Sequence, residues 1–164
     1  MKIRRAASGD VDALLALEAG FPSDALNRRN LRYLLRRPSA EVWVVDIDGQ
    51  VAGELVLLFR KHAKAARIYS LVVAPACRGQ GIARRLIELA EDRAIAHDCR
   101  TIKLEVRPDN GAAIALYGRM GFESTGRLAG YYEDGTDALT MQKLLQSGQQ
   151  LSDLMHLPSH NKAA

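Results

Sequence analysis

A strand, a glycine-bearing turn, a helix and a second strand follow one another between residues 67 and 106, and no other stretch restricts the fold as strongly. The first strand is Arg67 to Val73, whose β-branched end runs into Pro75. Arg78-Gly79-Gln80-Gly81 then makes the turn. Apolar residues recur at helical spacing through Ile82, Leu86, Leu89 and Ala90, which predicts a helix over residues 82–97. Arg100 to Val106 returns to a strand bearing Ile, Leu and Val. Strand, helix and strand in this order close as a right-handed crossover with the two strands parallel.

The flanking sequence supplies more of both element types. Met1 to Ala6 reads as a short opening strand. Ser8 is placed as the cap of a first helix, with Asp10 and Asp12 in its first turn and Val11, Leu14, Leu15 and Glu18 outlining its face as far as Gly20. Phe21-Pro22-Ser23 breaks it. Leu26, Leu31, Leu34 and Leu35, set among arginines, predict a second helix over residues 24–37 with a basic outer face, stopped by Pro38. Glu41–Ile47 and Gln50–Phe59 form a hairpin about Asp48-Gly49. Behind the crossover, Asn110 caps a helix carrying Ala112 to Tyr117, and two strands, Phe122–Leu128 and Thr136–Leu144, follow. The order β-α-α-β-β-β-α-β-α-β-β describes an α/β chain with a mixed sheet and helices on both faces. Residues 146–164 turn to Gln, Ser, His and Pro and are expected to be a partly disordered tail behind one domain of residues 1–145.

Composition narrows the classes of function. No apolar run approaches the roughly 20 residues of a membrane span, and Met1-Lys2-Ile3-Arg4-Arg5 lacks the apolar core of a secretory signal, so a cytoplasmic protein is expected. Cys77 and Cys99 read as reduced thiols, and the four histidines give no zinc spacing, so no metal is expected. A net charge of +4 suits anionic ligands, yet 23 basic against 19 acidic residues is a mixed surface, and nucleic acid is not the expected partner.

Glycines at a helix N-terminus let backbone N–H groups converge on an anion where the helix dipole also helps, so a phosphate or pyrophosphate is the expected ligand of the turn. A Walker loop would need Gly-Lys-Ser/Thr, and a dinucleotide fingerprint would need a third glycine where Arg84 stands. Neither is present. Arg78-Gly79-Gln80-Gly81-Ile82-Ala83 does fit Arg/Gln-x-x-Gly-x-Gly/Ala, and it resembles the acetyl-CoA pyrophosphate loop of the GNAT N-acetyltransferase superfamily. Leu104-Glu105-Val106 through Asn110, Ile114-Ala115-Leu116-Tyr117 and Gly121-Phe122 resembles the second acetyl-CoA signature of that family. The nearest branch is the ribosomal-protein alanine N-acetyltransferases.

The resemblance implies a largely antiparallel sheet of about seven strands with helices on both faces and a splay between its two central parallel strands. It implies acetyl-CoA as co-substrate, held by the backbone of Leu71, Val72 and Val73, by the amides of Arg78, Gly79, Gln80, Gly81, Ile82 and Ala83, and by Asn110. Glu105 is then the general base and Tyr117 the general acid toward the coenzyme A thiolate, with Tyr131 and Tyr132 in the loop that holds a peptide N-terminus. Glu105 also stands out unaided as an acid within an apolar strand, where an ionised group is costly unless exposed or employed. Acetyl transfer to an amine needs a neutral amine, a held thioester and a proton for the leaving sulfur. An α-amine of pKa 7.7–8.0 is appreciably neutral at physiological pH, whereas a lysine amine near 10.4 is not. A peptide or protein N-terminus, including that of a ribosomal protein, is therefore the expected acceptor. A small amine and a non-catalytic acyl-CoA sensor stand as alternatives, and a monomer or homodimer is expected.

Overall fold

The computed structural model describes residues 1–21, 25–60 and 62–145. Its elements are β1 (Lys2–Arg5), α1 (Val11–Glu18), α2 (Arg28–Arg36), β2 (Ala40–Ile47), β3 (Gln50–Arg60), β4 (Ala65–Val73), α3 (Ile82–Ala96), β5 (Thr101–Val106), α4 (Gly111–Arg119), β6 (Glu123–Leu128) and β7 (Ala138–Leu144). The strands form one sheet in the order β1-β2-β3-β4-β5-β7-β6. Only β4 and β5 run parallel, joined through α3; the other neighbours are antiparallel. Asp48 and Gly49 both take positive φ, 52° and 82°, which the tight β2–β3 turn requires.

Two apolar clusters flank the sheet. Leu55, Leu57, Ile102 and Leu104 meet Leu86 and Ile87 of α3 and Tyr117 of α4 on one face. Val42, Val44 and Val56 meet Leu14 of α1 and Leu31 and Leu34 of α2 on the other. The α3 face also carries an ionic clasp between sheet and helix. Glu41 of β2, 4% exposed, accepts from Arg93 at 2.8 and 2.9 Å, from Trp43 at 3.0 Å, and lies 2.9 Å from His97. Against the penalty of its burial, these donors hold the Glu41 carboxyl down at about 2.

The helix starts differ from the sequence expectation for local reasons. Ser8 does not cap α1: Ser8–Asp10 form a single 3₁₀ turn, and Asp10 instead accepts from the Ala7 N–H at 2.7 Å while pairing with Arg4 at 2.8 Å. Helix α2 opens at Arg28 rather than near residue 24, because the Asn27 side chain takes the Asn30 N–H at 2.8 Å and stops the helix there. Leu26 thus packs into the core from ahead of the helix. The last strand starts at Ala138, two residues later than its sequence suggests, since Thr136 is held by the Asp134 side chain in the preceding turn. Pro22, Ser23 and the tail of residues 146–164 lie outside the described residues.

Candidate active site

Where β4 and β5 part, each strand keeps a backbone edge without a strand partner. Ala65–Ile68 pair with Thr101–Leu104, and there the ladder stops. Tyr69–Val73 and Glu105–Val106 then flank an opening, although their outer sides stay paired. Leu71, Val72 and Val73 lie against β3, and Glu105 and Val106 against Thr140 and Leu139 of β7. Such an edge accepts an extended molecule as an added strand.

At the end of β4 the chain passes through a 3₁₀ turn, Pro75–Cys77, into the glycine loop. Gly79 and Gly81 have φ of 77° and 78°, a left-handed conformation that strains any side-chain-bearing residue. With Gly81 as the cap, the amides of Gly79, Gly81, Ile82 and Ala83 find no acceptor among the described residues, whereas the Arg78 N–H turns back to the Pro75 carbonyl at 3.4 Å. Unpaired donors gathered at the N-terminus of a 15-residue helix suit a pyrophosphate. Arg78 is thereby the exception among the loop amides: its side chain reaches the Val73 carbonyl at 3.4 Å and lies over the Phe21 ring.

Glu105 alternates with Leu104 and Val106, which are buried against α3 and α4, so its carboxylate is on the α1–α2 face. It is 18% exposed and bonds through Oε2 to Arg67 Nε of β4 at 2.8 Å. Its Oε1 takes no hydrogen bond from another described residue. The Arg67 guanidinium also donates to the Tyr131 hydroxyl and lies 5.4 Å from the centre of the Tyr69 ring. Tyr131 and Tyr132, in the β6–β7 connection, meet edge to face at 4.9 Å, and Tyr132 stacks under Arg107 at 4.2 Å. Arg107 is anchored in turn by Asp134 at 2.9 Å.

Tyr117 lies on the opposite face of the sheet, 8% exposed in the α3–α4 core and edge-on to Phe122 at 5.5 Å. Burial, with the nearby Tyr132 adding to it, pushes its phenol up to about 12. Asn110 serves as the cap of α4, its side-chain oxygen accepting from the Ala113 N–H at 3.2 Å. Among the sequence-selected residues, Leu71–Val73 and Glu105 border the opening, the glycine loop and Asn110 stand at two helix starts, and Tyr117 lies in the core of the opposite face.

Two features went unnoticed in the sequence. Arg67 reads there only as the first residue of a strand, yet it holds Glu105. Glu54, on β3 opposite Val72, is fully buried, and neither carboxyl oxygen has a donor among the described groups. Its neighbour is Glu18 at the end of α1, 2% exposed, which accepts from Ser70 Oγ at 3.0 Å and from the Leu26 N–H at 3.2 Å. Two buried carboxyl groups this close cannot both ionise; desolvation first, and Glu18 second, raise the Glu54 carboxyl far above the carboxylate range. The Glu54 carboxyl is therefore biased toward its protonated form beside Glu18. The signal was the one that singled out Glu105, an acid in an apolar strand.

The sequence profile described as the Acetyltransferase (GNAT) family matches residues 11–122. An uncharacterised N-acetyltransferase of Methanocaldococcus jannaschii is 35% identical over 145 residues, covering 87% of this chain and 91% of its own. The crystal structure of the ribosomal-protein-alanine N-acetyltransferase from Brucella melitensis aligns with a TM-score of 0.75 at 27% identity, over 88% of this chain and 100% of that one. A chain of the NatC complex bound to Gag peptide and CoA aligns with a TM-score of 0.75 at 26% identity, over 89% and 100%.

Proposed function

Since this chain belongs to the GNAT family and is an N-acetyltransferase, we propose, from its likeness to a ribosomal-protein-alanine N-acetyltransferase, that its acceptor is the N-terminal α-amine of a protein or peptide, and that this amine attacks directly in a ternary complex. The observation that carries this reading is the setting of Glu105. One carboxylate oxygen is held by Arg67 and the other is left to receive a proton, on a sheet face bordered by Tyr69 and Tyr131 where an extended chain can lie. A single carboxylate of this kind, directly or through a water, suits an amine already close to neutrality.

The family uses acetyl-CoA, which supplies the acetyl group as a thioester. The chain has parts suited to hold it: the unpaired edge of Leu71–Val73 for the pantetheine arm, the donors of Gly79, Gln80, Gly81, Ile82 and Ala83 for the pyrophosphate, and the Asn110 amide at the start of α4. Glu105 takes the amine proton as the new C–N bond forms, and Tyr117 donates a hydrogen bond to the sulfur as the C–S bond breaks. These parts lie within residues 1–145, which we assign as the acetyltransferase domain, with 146–164 as a tail. Free Cys77 and Cys99 fit a reducing, cytoplasmic setting.

Thiol release from acetyl-CoA, measured with a peptide beginning in Ala or Ser and with spermidine and free lysine, tests the acceptor. Release that depends on the peptide and exceeds that with either amine is expected. Preference for spermidine or lysine would make this a small-amine enzyme, and acetyl-CoA binding with no release would make it a sensor.

A further inference from the structure

A groove of about 170 Å³ runs from the acceptor face along α2. Leu26, Leu34 and Leu58 form its apolar lining, and Tyr33, Arg37 and Tyr69 stand exposed along it; no acidic side chain lines it. Tyr69 joins the groove to the site, because Arg67 lies over its ring while bonding Glu105. At the other end Arg37 covers the Tyr33 ring at 5.8 Å and donates to Ser39 Oγ, with no salt bridge among the described residues. The crest of α2 adds Arg29, Arg32 and Arg36, all exposed, and none of the three forms an ion pair among the described residues; only Arg28 is matched, by Asp12.

We propose that this groove seats the residues that follow the reacting amine and selects an acidic side chain there, with Arg37 as its partner. The inference deepens the peptide reading and rests on it. An extended peptide advances about 3.3 Å per residue, so a chain starting at Glu105 reaches past Tyr69 within a few residues. The tyrosines give its backbone and side chains flat apolar contact, and the unmatched arginines supply the charge complementarity. A guanidinium at a groove rim mainly sets specificity and association rate, so the preference is sensitive to salt.

Thiol release is measured with three peptides sharing a first Ser, followed by Asp-Glu, Gln-Asn or Lys-Arg. The acidic peptide is expected to exceed the basic one in kcat/KM by about tenfold or more at low salt, with the gap narrowing at high salt. Arg37→Glu, on an exposed side chain, is expected to reverse the ranking of the acidic and basic peptides. Equal turnover of all three peptides, or a preference for the basic one, overturns the groove assignment while leaving the N-terminal reading intact. Turnover of none of them, with acetyl-CoA still bound, overturns both. Tight binding of an RNA oligonucleotide that blocks peptide turnover and is lost in Arg37→Glu overturns the peptide assignment in favour of a polynucleotide.

Discussion

Burial sets what Tyr117 can contribute. A phenol at about 12 is a weaker acid than a thiol near 8.5, so complete proton transfer to a thiolate runs uphill. In the mechanism proposed above, Tyr117 is best suited to donate a hydrogen bond that stabilises charge on sulfur while it develops, a narrower role than the general acid implied by resemblance. Tyr117→Phe keeps the ring against Phe122 and removes only the hydroxyl. A loss of about a hundredfold in kcat with nearly unchanged acetyl-CoA affinity is expected. Parallel loss of both quantities would show that the hydroxyl matters to packing instead. At this scale the sequence was half legible. Glu105 and Tyr117 stood out by motif, whereas the partner that orients Glu105, Arg67, is 38 residues away and becomes its neighbour only when β4 and β5 pair.

Between elements, Glu18 ties α1 to β4 through Ser70 and to the approach of α2 through Leu26, with the Glu54 carboxyl of β3 beside it. Folded Glu54 keeps its proton at a pH where the unfolded carboxyl, near 4.3, has lost it. Above that value folding takes up a proton, so this group lowers stability progressively as pH rises. Glu54→Gln replaces the O–H donor with an N–H donor and needs no proton. Its denaturation midpoint is expected to depend less on pH than that of the parent between about 5 and 9, with a gain in stability at the alkaline end. An identical pH slope in both proteins would mean that Glu54 is ionised in the fold. Sequence periodicity found every helix and strand here but misplaced the starts of α1 and α2, because caps depend on which of several Ser, Asp and Asn side chains reaches a free N–H. Asn27 did so for α2, whereas ahead of α1 Asp10 took the Ala7 N–H of a 3₁₀ turn and Ser8 took none.

The molecule as a whole is an acetyltransferase sheet opened at one seam, and the seam was legible in outline. Strand–helix–strand order fixed the parallel pair, but the point of parting after Ile68 and Leu104 left no mark on local sequence. Nor did the insertion of β7 between β5 and β6, which brings the β6–β7 connection with Tyr131 and Tyr132 over the opening. In the proposed reaction, a base on one face and a donor on the other serve chemistry in that seam. Glu105→Gln preserves the acceptor of the Arg67 bond and removes the proton-accepting carboxylate, so it separates catalysis from architecture. The measurement is peptide-dependent thiol release by this variant beside direct acetyl-CoA binding. A fall in kcat of about a hundred- to ten-thousandfold with unchanged acetyl-CoA affinity is the expected result. Turnover equal to that of the parent would contradict the account and place the base elsewhere.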